Sequence, residues 1–193
     1  MIADSEVRQW CEQAAKGDLS AGSKLLSTFY KPIFAYHRRL SRNHEDAADL
    51  TQATFSKVWN SLVRFRGASS VSTWIHRIAY YTYVDWVRRS RPPTERTEDW
   101  WHDIPAADPT PSDHSAALET AQQLYRAVDK LPDEQRQAIH LHYYQGLSLT
   151  ETSEVLEVPE STLKYRLRGA LDELRRQLRE PLSVNKSIKT DSL

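Results

Sequence analysis

The chain predicts an all-α fold of two small helical domains joined by a flexible acidic linker, the C-terminal one a helix-turn-helix. Three observations carry that expectation. Apolar residues recur every three or four positions from about residue 4 to 91 and again from 115 to 179, the spacing that lines one side of a helix. Between these blocks lies a proline- and acid-rich stretch with no apolar period. The second block ends in a short helix, a tight turn and a long helix in succession. The expected division is a bundle over 1–91, a linker over 92–114, a C-terminal domain over 115–180 and a flexible tail over 181–193.

The first helix is expected near Asp4 to Lys16, with Val7, Trp10, Cys11 and Ala14 on one side. Asp18 is a good N-cap for the second, whose Leu25, Phe29, Ile33, His37 and Leu40 keep helical period to about Arg42. Pro32 sits inside that pattern and is expected to bend or break it, because proline removes a backbone donor and crowds the preceding turn. In the third, Leu50, Thr54/Phe55, Val58/Trp59 and Leu62 share one side, while Asp46, Asp49, Gln52, Ser56, Lys57 and Asn60 collect on the other. Residues 64–70 break the pattern, and Gly67 with its neighbouring serines marks a turn and a helix start. The fourth helix turns Val71, Trp74/Ile75, Ile78, Thr82 and Trp86 inward, leaving His76, Arg77, Tyr80, Tyr81, Arg88, Arg89 and Arg91 as groups the core does not require.

Within the linker, Trp100 and Trp101 are costly to leave in water and are expected to pack on a flanking bundle or to dock on a partner. A helix beginning near Ser115 carries Leu118, Ala121, Leu124/Tyr125 and Val128 and stops at Leu131-Pro132. A second runs through Ile139 and Tyr143 to Gly146. Ser148-Leu149-Thr150-Glu151 is a capping-box sequence, serine and glutamate each able to satisfy the other's backbone N–H. A short helix to Leu156, a turn through Glu157-Val158-Pro159 and a long helix from Glu160 to Arg179 complete the pattern.

Composition narrows the function. Hydrophobic content of 39% with 27% charge suits a soluble globular chain. No apolar run approaches the roughly 20 residues of a bilayer span, and no basic-then-apolar leader opens the chain, so membrane insertion is not expected and the location should be cytoplasmic. The single Cys11 excludes an internal disulfide and a cysteine-rich zinc site. The histidines are scattered, and His140 and His142 diverge on a helix. No phosphate-cradling glycine loop and no nucleophile paired with a base is visible. Neither catalysis, cofactor nor metal is therefore expected. The 26 basic and 26 acidic residues cancel overall but are segregated. Arginines cluster at 64, 66, 77, 88, 89 and 91, further cations fall between Lys164 and Arg179, and acids fill the middle. Cations neutralise phosphates and aromatic rings stack on unpaired bases, so the pattern predicts weak intrinsic DNA affinity, with a larger partner supplying most of the grip.

The ordered run Asp46-Ala47-Ala48-Asp49-Leu50-Thr51-Gln52 with Phe55 and Trp59, then Phe65-Arg66-Gly67, Ser72-Thr73-Trp74-Ile75, Arg77-Ile78-Ala79, Asp85 and Arg88-Arg89 resembles region 2 of the bacterial sigma factors of the extracytoplasmic-function (ECF) type, within the sigma-70 family. Leu131-Pro132-Asp133-Glu134-Gln135-Arg136, Gly146-Leu147-Ser148 and Val158 to Leu167 look like sigma region 4. Read alone, this second segment also fits a LuxR-type regulator that binds duplex DNA without joining the polymerase; its position downstream of the first decides between them.

The resemblance implies a polymerase specificity subunit that directs promoter recognition, melting and initiation. It puts Asp46, Asp49, Gln52 and Lys57 against core RNA polymerase. It assigns Arg66, Gly67, Ser69, Ser70, Thr73, Trp74, Arg77, Tyr80, Tyr81 and Arg88 to the minus-ten element of promoter DNA. The minus-thirty-five element falls to Ser161, Thr162, Lys164, Tyr165, Arg166 and Arg168, and an anti-sigma protein is a further implied partner. This chain carries Ala48 and Ala53 where the family tends to have glutamates, Val71 for a phenylalanine and Tyr81 for an asparagine. An unusual minus-ten preference is expected, and Thr51, Thr54 or Ser56 are candidates for phosphorylation that would restore negative charge to the polymerase-facing helix.

Overall fold

The computed structural model describes residues 3–89 and 114–179, and all regular structure in them is helical. The expected linker up to residue 113, with Trp100 and Trp101, and the tail lie outside the described residues. The first bundle comprises α1 (Asp4–Ala15), α2 (Leu19–Ser41), α3 (His44–Ser61) with a 3-10 turn at Leu62–Arg64, and α4 (Val71–Arg89). The second comprises α5 (His114–Asp129), α6 (Asp133–Ile139) running into a π-helical turn at His140–Tyr144, α7 (Leu149–Leu156) and α8 (Glu160–Arg179).

Local chemistry sets the helix ends. The Asp18 carboxylate accepts from the N–H groups of Ser20 (2.8 Å) and Ala21 (3.1 Å), and the Asn43 side chain caps α3 in the same way through Glu45 and Asp46. Helix α2 continues through Pro32. The buried stripe of Leu25, Phe29, Ile33, Tyr36 and Leu40 carries it across the lost hydrogen bond. Both halves of the capping box form: the Ser148 hydroxyl accepts from Glu151 N–H (3.1 Å), and Glu151 Oε2 accepts from Ser148 N–H (2.9 Å). The expected helix through Ile139 to Gly146 instead ends at Ile139 and widens into the π turn, which lets the adjacent residues His140 and Leu141 both be fully buried.

Helix α4 is sandwiched. On one side it packs against α3; on another it packs against α7 of the second bundle. Buried apolar residues of both bundles, from Ile33, Val71 and Ile75 to Leu141, Val155 and Leu163, belong to one cluster. Burying each such side chain stabilises the fold by about 1.5–3 kcal/mol. Two expectations change as a result. His76, read as free of the core, is 2% exposed, because the second bundle covers it. Its Nδ1–H donates to the Ser72 carbonyl (2.8 Å), and Nε2 faces the Gln145 amide at 3.3 Å. Thr51 and Thr54, read as candidate modification sites, are fully buried. Their hydroxyls donate to the Ala47 and Leu50 carbonyls at 2.6 and 2.8 Å, and of the three candidates only Ser56 is exposed.

Candidate nucleic-acid interface

The loop before α4 is held from below by α1. Gly67 has φ of 71°, which glycine adopts without strain, and the Arg8 guanidinium lies where a Cβ would stand. Arg8 Nη1 donates to the Gly67 carbonyl (3.0 Å) and Nη2 to that of Ser69 (3.3 Å), and the same group lies 5.9 Å over the Phe65 ring. Arg8 is a positioning residue that sequence reasoning missed, since nothing local to α1 marks it. Beyond the loop, the Ser70 hydroxyl caps α4 by accepting from Thr73 N–H at 3.0 Å.

From that loop α4 runs beside α3, and between them opens a groove of about 690 Å³. Trp74, Arg77 and Tyr81 line it from α4, with Ile78 at its base; Lys57, Asn60, Ser61 and Arg64 complete it. The groove thus joins three of the residues assigned to the minus-ten element with two further cations. Lys57, assigned to the polymerase side, also reaches across to Asp85 on α4 at 3.5 Å. Arg66 and Arg88 are exposed, one at each end of the region. Tyr80 is half-buried and packs edge-on against Tyr81. Ser70 and Thr73 face the second bundle, where both donate to Glu151.

Nearer the N-terminal end of α3, Asp49 and Gln52 are exposed and Asp46 is partly covered. Burial, then repulsion from Asp49 and Glu45, pushes the Asp46 carboxyl up from its ordinary value. Beside it lies an apolar strip in which Leu26, Tyr30 and Trp59 are each 44–47% exposed. A Cβ on Gly22 would come within 2.5 Å of the Trp59 ring, so glycine there lets the indole lie flat on α2.

The second surface is the N-terminal part of α8. Ser161, Lys164, Tyr165 and Arg168 face solvent, Tyr165 at 78% exposure, as helical periodicity predicted. Thr162 and Arg166, assigned to the same surface, are turned partly inward, and Arg166 Nη2 pairs with Glu134 at 2.8 Å.

Burial pushes the Cys11 thiol up to about 11, which makes it an unreactive core residue. Among the described residues no three His, Cys, Asp or Glu side chains are placed to hold a metal ion, and no helix is long and apolar enough to cross a membrane.

Residues 25–92 match the family model described as Sigma-70 region 2, and residues 121–181 match Sigma-70, region 4. The ECF RNA polymerase sigma factor SigM of Mycobacterium tuberculosis is 35% identical over 163 residues, spanning 84% of this chain and 79% of that protein. SigW of Bacillus subtilis, another ECF RNA polymerase sigma factor, is 29% identical over 182 residues, spanning 90% and 97%. Among solved structures, CnrH in complex with the cytosolic domain of CnrY shares the fold, with a TM-score of 0.68 and 23% identity over 90% of this chain and 97% of that one.

Proposed function

Because the chain belongs to the ECF sigma factors of RNA polymerase and so directs promoter-specific transcription initiation, we propose how its surfaces divide that task. Residues 1–91 engage core polymerase and the minus-ten element, and residues 115–180 read the minus-thirty-five element. Core polymerase docks on the Asp46, Asp49 and Gln52 patch together with the apolar strip of Leu26, Tyr30 and Trp59. Lys57 works at the edge of the minus-ten groove. Trp74, Arg77 and Tyr81 hold the opened strand in it, and Arg66, Gly67, Ser69, Ser70, Thr73, Tyr80 and Arg88 belong to the minus-ten surface around it. Ser161, Lys164, Tyr165 and Arg168 meet the upstream duplex, while Thr162 and Arg166 orient the helix that bears them.

Sigma factors are regulatory subunits, so the work is recognition and strand opening. Unpairing costs a few kcal/mol per step, which bases captured in the groove must offset. The observation that carries this reading is the groove of Trp74, Arg77 and Tyr81 beside Lys57 and Arg64. It offers a base both a stacking face and a cation, each stacked base contributing about 1–3 kcal/mol. We further propose that the chain acts in the cytoplasm and that an anti-sigma protein is among its partners.

Reconstitution tests the assignment. Core polymerase lacking sigma, supplied with this chain and a library of promoter fragments, should yield promoter-selective run-off transcripts. Arg77→Ala and Tyr81→Ala should each lower them roughly 5- to 100-fold, the equivalent of about 1–3 kcal/mol, without loss of polymerase binding in a pull-down. Asp49→Lys should weaken the pull-down itself. Full transcript yield from both α4 variants would overturn the groove's role.

A further inference from the structure

Most of the loop before α4 has no side chain large enough to fix its shape. Gly67, Ala68, Ser69 and Ser70 follow one another, and the first of them stands in the left-handed region, so the backbone has several conformations open to it. Among the described residues a single side chain bonds α1 to this loop. Arg8 spreads its two Nη groups over the Gly67 and Ser69 carbonyls, a span that a planar fork covers and a single ammonium does not. Asp4, one turn earlier on α1, accepts from Nη2 at 3.4 Å and holds the guanidinium from its other side. The same group lies over Phe65, whose ring centroid is 4.8 Å from that of Trp74 in the lining of the groove. Arg8 therefore bears on the loop backbone and, through one ring, on the stacking face beside it.

We infer that Arg8 determines base preference at the minus-ten element without itself touching DNA, by clamping the loop in one shape. This rests on the proposed minus-ten role of the loop and groove, and adds to them a residue of α1. Both clamped peptides are trans and planar. Drawing the Gly67 and Ser69 oxygens toward α1 thus turns the N–H groups of Ala68 and Ser70 away from it, and Ala68 is exposed. A donor held in place favours the base whose acceptor meets it and leaves the others unpaired; a donor on a loose loop follows any of them. Glycine at 67 belongs to the same device, because a side chain there would take the place of the guanidinium.

The test supplies core polymerase lacking sigma with the full chain and a randomised promoter library, and sequences the templates that are transcribed. Arg8→Ala should cut discrimination between bases at the minus-ten element about fivefold, the worth of roughly one net hydrogen bond. Preference at the minus-thirty-five element and capture of polymerase in a pull-down should stay as in wild type. A merely structural role would instead lower transcript yield evenly and keep the base preferences. Arg8→Lys retains the charge and the aliphatic stem without the fork, so it should show the same loss, and it serves as the second variant where the alanine chain folds poorly. Gln9→Ala, at the exposed neighbouring position on α1, should match wild type. Unchanged minus-ten preference in either Arg8 variant, or equal relaxation of both elements, would overturn the inference. Absence of promoter-selective transcripts with the wild-type chain would sink the minus-ten reading beneath it instead.

Discussion

The two surfaces assigned to DNA are kept in opposite ways. At the start of α8, Tyr165 is 78% exposed, Arg168 faces solvent, and Lys164 is paired with Glu160 one turn away at 3.3 Å. On α4, Thr73 is 2% exposed and Arg77 is paired with a residue of the other bundle. Both helices hold comparable chemistry: cations, hydroxyls and an aromatic ring. What separates them is where their partners come from. A surface neutralised by its own helix can release those contacts one side chain at a time, whereas one neutralised by a neighbouring bundle has to be uncovered as a unit. The comparison teaches that the composition of a recognition helix says what it can bind, while the fold around it says when.

The most forceful way to break the comparison is to remove its supports. Ile75 and Leu163 are each 0% exposed beneath the two surfaces, and Ile75→Ala or Leu163→Ala should cost about 2–5 kcal/mol in urea denaturation. Because the buried cluster is continuous across α4 and α7, either change should lower the stability of both bundles together. Separate transitions would show that the surfaces are supported independently.

Acid should act next most strongly. Burial pushes His37 down to about 3, and desolvation likewise lowers His76 and His140. The His37 ring donates from Nε2 to the Thr54 hydroxyl at 3.0 Å, while that hydroxyl donates onward to Leu50. All three rings are neutral when folded and protonate more readily when unfolded. Their contribution is therefore complete above the ordinary value of 6.5 and is lost as pH falls below it. His37 alone should give up about 1.4 kcal/mol for each pH unit between there and its folded value. Denaturant midpoints measured from pH 8 to 5 should stay flat and then decline; a rise on acidification would contradict these burials.

Three smaller changes sharpen the contrast. Tyr165→Ala should cost about 1–3 kcal/mol in binding of upstream duplex by the holoenzyme, with stability unchanged. Arg168→Ala should reduce the slope of log affinity against log salt by about 1, the mark of a lost phosphate contact. Ser148→Ala removes one half of the capping box and should cost about 1 kcal/mol in thermal or chemical unfolding.

Much of the fold was legible because its signals are local. Asp18 announces α2, and Ser148 with Glu151 announces α7. The bounds expected for α7, its turn and α8 match the observed ones, since caps and periodicity lie within a few residues of the ends they define. The outward face of α8 was legible for the same reason. Burial of His76 was not, because the amide that covers it comes from Gln145, on the far side of the linker. Arg8 on the Gly67 loop, Arg166 turned toward Glu134 and the α7 carboxylates on α4 are likewise contacts between distant positions with no pattern of their own. Helical spacing put Thr54 on the inward side of α3, but its partner there, His37, comes from another helix and left no mark in the local sequence. The π turn follows from packing His140 and Leu141 together, which helical spacing alone does not anticipate.

The assignment of one promoter element to each surface is tested most directly by base-resolved selection. Start sites and upstream sequences chosen by core polymerase from a randomised promoter library would be sequenced with the wild-type chain, with Tyr81→Ala and with Tyr165→Ala. The predicted result is that Tyr81→Ala relaxes preference only in the element nearest the start site and Tyr165→Ala only in the upstream one. Loss of preference at the opposite element, or no change in either, would contradict it.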